Sequence, residues 1–325
     1  MEIPASSKRS HQRGIALLSL ALFLLALVAA LGLSVDIGRL FLNKNEAQTF
    51  ADSAVLDAAR RLDGTLEGLE AARSAIQRNW NSWDFGARKL ERYQLEFASD
   101  SAPERWLPSP VTAQGMLRVR LTVSVLQTLF FLPAVVSSSS QRVVAQATAA
   151  QVRLENFFHG LSPLAVPVAG SPPHFGLLPG EKLSLRETVR WWGDRDPAVI
   201  ELRVLTDDHG NPERSSRPVR LGQVLPLSEL PKDVEALFAR RSAEDSDAES
   251  SDAGTYYEAA RGNGRRLLRL PLLSATTGEM VGVGVFLLAP PDQPFWIEYT
   301  GRAALPNSGR PGAGPAGAYT VKLIG

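Results

Sequence analysis

The chain is 325 residues long, 44% hydrophobic and 21% charged, an ordinary balance for a folded protein that excludes wholesale disorder. With 35 lysines and arginines against 34 aspartates and glutamates, the formal net charge of +1 supplies no long-range field to draw in nucleic acid or another polyanion. Cysteine is absent, which rules out disulfides, thiolate metal sites and cysteine nucleophiles and leaves the compartment open.

From Gly14 to Leu33 the sequence reads GIALLSLALFLLALVAALGL, twenty residues without a charge. At 1.5 Å rise per residue this run matches the ~30 Å hydrocarbon layer of a bilayer, which predicts a transmembrane helix. A cleavable signal peptide has a shorter apolar region, ~7–15 residues, and a clean small-x-small cleavage site ahead of a polar mature start, which this sequence lacks. Lys8, Arg9 and Arg13 precede the span with Glu2 alone opposing them, whereas Arg39 and Lys44 behind it are outweighed by Asp36, Glu46 and Asp52. The positive-inside rule then makes residues 1–13 a cytoplasmic tail and places the bulk of the chain outside the cytoplasm. Beyond the span, Ala47, Phe50/Ala51, Ala54/Val55, Ala58/Ala59 and Leu62 recur at the spacing of one helical face, so the helix continues over 34–63 as a stalk until Asp63-Gly64 stops it.

Within this segment, Asp36 and Arg39 stand three apart and read as a surface ion pair, and Gly32 and Gly38 would admit a close-packed helix. Arg13-Gly14, Val35-Asp36-Ile37-Gly38-Arg39, the Gln48…Ala51-Asp52-Ser53-Ala54 stretch and the alanine-rich end before Asp63-Gly64 together resemble the N-terminal module of the TadE/TadG-like family, associated with tight-adherence (Flp) pilus assembly. Pro163-Leu164-Ala165-Val166-Pro167 and Phe175-Gly176 are similar to longer members. The resemblance implies a non-catalytic, membrane-anchored component of a Tad/Flp-type pilus-assembly or secretion apparatus. Its implied partners are the lipid bilayer and other pilus-assembly or envelope proteins, and Asp36, Gly38 and Arg39 become a helix-edge motif with a role in assembly. Type IV pilin-like subunits carry a glutamate five residues after their cleavage glycine; Ser19 stands there, so neither processing nor polymerisation carries over. The Asp-x-Ser-x-Ser metal motif of many TadG proteins does not occur in the sequence, so metal-dependent adhesion does not carry over either.

Residues 64–156 read as a small αβ unit: a helix over Leu66 to Trp80 with Leu66, Leu69, Ile76 and Trp80 on one side, then strands at Arg92 to Phe97, Met116 to Val125 and Arg142 to Leu154. Between the last two, LQTLFFLPAVV is too short to span a bilayer and is interrupted by Pro133, which predicts a short buried helix, with docking on a membrane surface as the alternative. The prolines and glycines of 157–180 read as a linker. Residues 181–325 then form a β-rich, sandwich-like antiparallel domain with strands at Lys182 to Leu185, Val199 to Leu205, Leu267 to Leu273, Met280 to Leu288, Phe295 to Tyr299 and Tyr319 to Ile324, and a helix at Leu230 to Arg241. Ala243 to Asp252 is acidic and almost free of apolar residues, so 243–254 is expected to be a mobile loop. The fold class is therefore α+β.

No residue presents itself as catalytic, cofactor-binding or metal-ligating. His11, His159, His174 and His209 are scattered, and no phosphate loop or nucleophile elbow occurs. Gly282-x-Gly284 lies inside a strand pattern, and Asp194/Asp196 and Asp207/Asp208 sit in turn-like contexts. An EF-hand start at Asp245, Asp247 and Glu249 fails at Ser250 and Tyr256. Trp191, Trp192, Trp296 and Tyr299 are candidate binding aromatics, with core packing the competing reading. The expectation is no enzyme, no cofactor and no nucleic-acid partner, with self-association compatible with the sequence. Acidic residues remote along the chain still pair in some glycosidases, which leaves a membrane-tethered periplasmic hydrolase acting on envelope polymer as the alternative.

Overall fold

The apolar run and the small-residue stripe beyond it merge into one helix, α1 (Lys8–Arg60), in a computed structural model that describes residues 8–82, 91–134, 139–157, 161–192, 219–259, 261–293, 295–305 and 311–324. Its 53 residues extend about 80 Å at 1.5 Å each. Among the described residues it is the one helix long and apolar enough to cross a membrane, and only 6% of its most apolar stretch is buried, unlike the core helix of a soluble fold. After Arg60 the chain turns through Asp63, whose Oδ1 accepts from the Thr65 backbone N–H at 3.0 Å; Thr65 Oγ1 in turn accepts from Gly68 N–H at 3.0 Å and caps α2 (Leu66–Ser82). The buried face of α2 is Leu69, Ala72, Ala75 and Ile76, while Leu66 stands exposed in the first turn rather than on that face.

The strands follow as β1 (Arg92–Ser99), β2 (Ala102–Leu107), β3 (Met116–Thr128), β4 (Ser140–Arg153), β5 (Asn156–Phe157), β6 (Leu164–Val168) and β7 (Lys182–Ser184). A one-turn helix α3 (Leu185–Thr188) precedes β8 (Arg190–Trp192), β9 (Val219–Arg220) and β10 (Leu227–Ser228). Helices α4 (Val234–Ala243) and α5 (Ala253–Ala259) lead to β11 (Leu267–Ser274), β12 (Met280–Leu288), β13 (Trp296–Tyr299), β14 (Ala303–Ala304), β15 (Pro311–Gly312) and β16 (Gly317–Leu323). Among the described residues two seven-stranded sheets run in the orders β15-β14-β16-β4-β3-β1-β2 and β10-β8-β6-β11-β12-β13-β7, with β5 and β9 paired separately. Long helix, second helix and mostly β remainder make the chain α+β. The expected strand Val199 to Leu205 and both aspartate pairs fall outside the described residues.

Several expectations are corrected. Leu164–Val168, inside the stretch read as linker, is a strand near the middle of the second sheet, parallel to β11 with Leu272 opposite Val166. Pro163 precedes the strand and Pro167 lies within it, opposite Leu273, without removing the apolar run that packs. The last strand pairs antiparallel with β4, from Tyr319 opposite Arg153 to Leu323 opposite Ala149, instead of closing a separate C-terminal sandwich. The described residues of LQTLFFLPAVV form no buried α-helix: Leu126 belongs to β3, Phe130 and Phe131 are exposed, and one 3-10 turn follows at Leu132–Ala134.

The chain divides into two compact units, each assembled from segments remote in sequence. One comprises Met1–Ser53, Trp80–Gln94 and Leu121–Ala147; there the Trp80 ring lies edge-on to Phe50 at 6.2 Å and against Tyr93 at 4.9 Å. The other comprises Ala54–Asn79, Leu95–Arg120 and Thr148–Gly325. In it the second sheet is apolar on both faces. Phe286 and Leu288 of β12 join Trp191, Val234 and Phe238 in one cluster, while Val283, Val285 and Leu287 join Trp192, Tyr256, Ala304 and Ala318 in another, as the period of two requires. At Gly282 a Cβ would stand 2.7 Å from the Phe175 ring, so this glycine is a packing position. Gln151, on β4, donates to the carbonyls of Ala59 (2.9 Å) and Leu62 (2.7 Å) and accepts from Ala313 N–H (3.0 Å), so one buried amide satisfies the end of α1.

Candidate functional site

Asp36 is 1% exposed. Its carboxylate faces the turn after β3 and accepts three consecutive backbone N–H groups: Phe130 (3.1 Å to each oxygen), Phe131 (2.7 Å) and Leu132 (2.8 Å). Three adjacent donors converging on one carboxylate make a clasp that fixes the turn to one level of the helix. Burial by itself pushes a carboxyl's pKa up; the Leu132, Phe131 and Phe130 donors, with the charge of Arg39, outweigh it and hold Asp36 below the ordinary carboxylate range. The expectation of a surface ion pair is thereby corrected. The Arg39 guanidinium instead lies 4.3 Å from the centroid of the Phe130 ring, a cation–π contact.

One turn towards the N-terminus, Gly32 takes the Phe131 ring, which approaches to 2.6 Å of where a Cβ would stand; no other residue type fits there unless the ring moves. Gly38 has nothing within 4 Å of its Cβ position, so of the expected motif Asp36 and Arg39 act on the turn and Gly38 stays open. Further along, Asn43 donates to the Gln127 side-chain carbonyl and Lys44 to the Val144 carbonyl, while Gln48 donates to the Gln146 carbonyl at 2.9 Å and to Asp52 at 2.8 Å. Sequence reasoning missed this ladder and both phenylalanines. The available signal was the spacing of Asp36 and Asn43, seven apart and so on one helical face whose other members, Gly32, Leu40 and Ala47, are small or apolar.

The four candidate aromatics do not form a surface. Trp191, Trp192 and Tyr299 are buried, and Trp192 Nε1 donates to the carbonyls of Ser162 (3.0 Å) and Leu164 (3.2 Å). Tyr299 hydroxyl and His174 Nδ1 are 3.1 Å apart, and burial pushes the phenol up to about 12. Only Trp296 keeps partial exposure, with Lys182 Nζ 4.0 Å from its ring centroid. Core formation is what brings three of these rings inside.

The acidic run read as a solvated, mobile loop also turns inward. Asp245, Asp247 and Ser250 are buried around Arg266, which is wholly buried and donates to the carbonyls of Leu288 (2.6 Å), Asp247 (2.9 Å) and Ser250 (2.8 Å). Asp245 accepts from the Tyr256 hydroxyl at 2.9 Å and from Arg266 N–H at 2.8 Å. Beside this network lies a cleft of about 700 Å³ lined by Asp63, Thr65, Glu67, Tyr257, Glu258 and Arg302 among others. Among the described residues no group of three or more histidines, aspartates and glutamates is placed to hold a metal ion.

The clasp and the helix carrying it coincide with a recognised sequence module. Residues 14–61 match the Flp pilus-assembly TadE/G-like family model. The Tad segment runs from the first apolar residues of the span, through Asp36, Asn43 and Gln48, to the end of α1. The turn that Asp36 holds and the strands joined to the ladder lie outside it, so in every one of these contacts except Gln48–Asp52 the Tad segment supplies one half and the rest of the chain the other. No curated protein and no solved structure matches the chain.

Proposed function

We propose that the chain is a non-catalytic component of a Tad/Flp-type pilus-assembly or secretion apparatus, anchored in the bacterial inner membrane by Gly14 to Leu33 with its N-terminus in the cytoplasm. The β-rich remainder then stands in the periplasm and contacts other pilus-assembly or envelope proteins, or further copies of itself. The supporting observation is that the Tad match covers an exposed apolar helix whose outer edge is clasped, at Asp36, to the turn after β3. Membrane confinement orients an interaction surface and raises its local concentration, so a modest interface suffices.

The test is a strain lacking this chain, scored for surface pili by electron microscopy. Piliation is lost, the full chain restores it, and a chain in which a cleaved secretion signal replaces residues 1–34 accumulates in the periplasm without restoring it. Normal piliation in the deletion strain would overturn the reading. Degradation of envelope polymer by the purified chain would replace it with the tethered hydrolase.

A further inference from the structure

The turn that Asp36 clasps is apolar where it faces outward. Phe130 is 63% exposed, Phe131 46% and Leu126 half-exposed, with no side chain of the described residues covering them fully. The Phe131 ring rests on Gly32, and Gly32 lies within the uncharged run that ends at Leu33. A ring touching that residue sits at the depth of the span's outer margin. Asp36, four residues on, stands about 6 Å further out at 1.5 Å per residue, at the level where headgroups meet hydrocarbon.

We infer that residues 130–132, the described turn after β3 that Asp36 holds, form a second membrane contact, with Phe130 and Phe131 dipping into the outer face of the bilayer beside α1. The inference rests on α1 spanning that bilayer, as in the proposed function. Two features favour lipid over water or protein as the occupant. The exposed rings continue the exposed apolar surface of α1, which includes Leu25, Val28 and Leu31. The backbone also suits an apolar medium: exposed N–H groups at a turn in water need no protein acceptor, whereas at a lipid surface each must be satisfied internally, and Asp36 satisfies three in succession. Arg39, over the Phe130 ring, places a cation at headgroup phosphate level, and the aromatic ring beside it is of the kind enriched at membrane–water boundaries.

Because the chain has no cysteine, single substitutions can be spin-labelled in the full-length protein. The variants Phe130→Cys, Leu126→Cys, Leu22→Cys and Val111→Cys are placed in vesicles of phosphatidylethanolamine and phosphatidylglycerol, and the accessibility of each label to oxygen and to a water-soluble nickel chelate is measured. Val111, 91% exposed between β2 and β3, is the reference. The expected oxygen-to-nickel ratio at 130 is several-fold above that at 111 and close to that at 22, whereas 126, beside Gln127 at the level of Asn43 about 10 Å further out, stays below 130. A ratio at 130 equal to that at 111 overturns the inference in favour of water, and shielding of 130 from both reagents overturns it in favour of a protein partner. A nickel-accessible label at 22 would instead bring down the anchor, and this inference with it.

Discussion

Glu298 shows how far a single residue can depart from what its sequence neighbours suggest. It is 3% exposed; Oε1 accepts from Ala253 N–H at 3.0 Å, and Oε2 has no hydrogen-bond partner among the described residues. Burial raises its pKa, as does the charge of Asp252, against the Ala253 donor and the charges of Lys182 and Arg266, and the net result is a raised carboxyl. A pKa higher in the folded than in the unfolded chain means that the fold binds this proton more tightly, so stability is full below the ordinary glutamate value of ~4.3 and falls as pH rises through the folded one. Glu298→Gln keeps the Ala253 contact and removes the charge. It should melt at or above the wild-type temperature at pH 7, with the difference vanishing near pH 4; a variant clearly less stable at pH 7 would show that the charge is satisfied by Lys182 and Arg266. The inward turn of AEDSDAESSD was not legible either, because composition reports hydration in the unfolded chain, while the partners of Asp245, Tyr256 in the following helix and Arg266 in the turn before β11, lie outside the run.

Among elements, α1 was the most legible, since an uncharged twenty-residue run and a 3.6-residue stripe of small side chains both persist in any context long enough to average out exceptions. The turn after β3 was not. Phe130 and Phe131 look like core residues until the acceptor for their backbone N–H groups is known, and that acceptor lies 94 and 95 residues away. The clasp yields an element-scale prediction. Asp36→Ala removes the acceptor of three adjacent amides while leaving α1 helical, so hydrogen exchange at Phe130, Phe131 and Leu132 should accelerate more than tenfold, roughly the effect of losing ~1.4 kcal/mol of local protection, with α1 amides unchanged. Unchanged exchange at the turn would mean that the Phe131–Gly32 packing alone holds it. Since the Asp36 carboxyl is held below the ordinary range, its contribution is present above the ordinary aspartate value of ~3.9 and disappears as pH falls through the lower folded one, so protection should persist through pH 5.

At the scale of the whole molecule, strand order is where local pattern stops informing. Alternation located β1, β3, β12 and β16 to within a few residues, yet nothing in their own sequence says that β16 inserts between β14 and β4, because backbone pairing carries no residue code and register is decided by which faces must be buried. That placement has a physical consequence. β16 contributes five paired positions along β4, buries Ala318 and Tyr319, and supplies Ala318 to the cluster on one face of the second sheet. Its removal would leave the β4 segment Ala149–Arg153 as an unpaired edge and strip one wall from that cluster, two faults that act on different sheets at once. A chain ending at Ala316 lacks fewer than ten residues, none in the Tad match, and should nevertheless lose its cooperative thermal transition by circular dichroism and aggregate once extracted in mild detergent. If β16 were instead an appendage on a self-sufficient αβ unit, the shortened chain would melt cooperatively near the full-length temperature, and the pairing of the last strand with β4 would no longer account for what holds the β-rich part together.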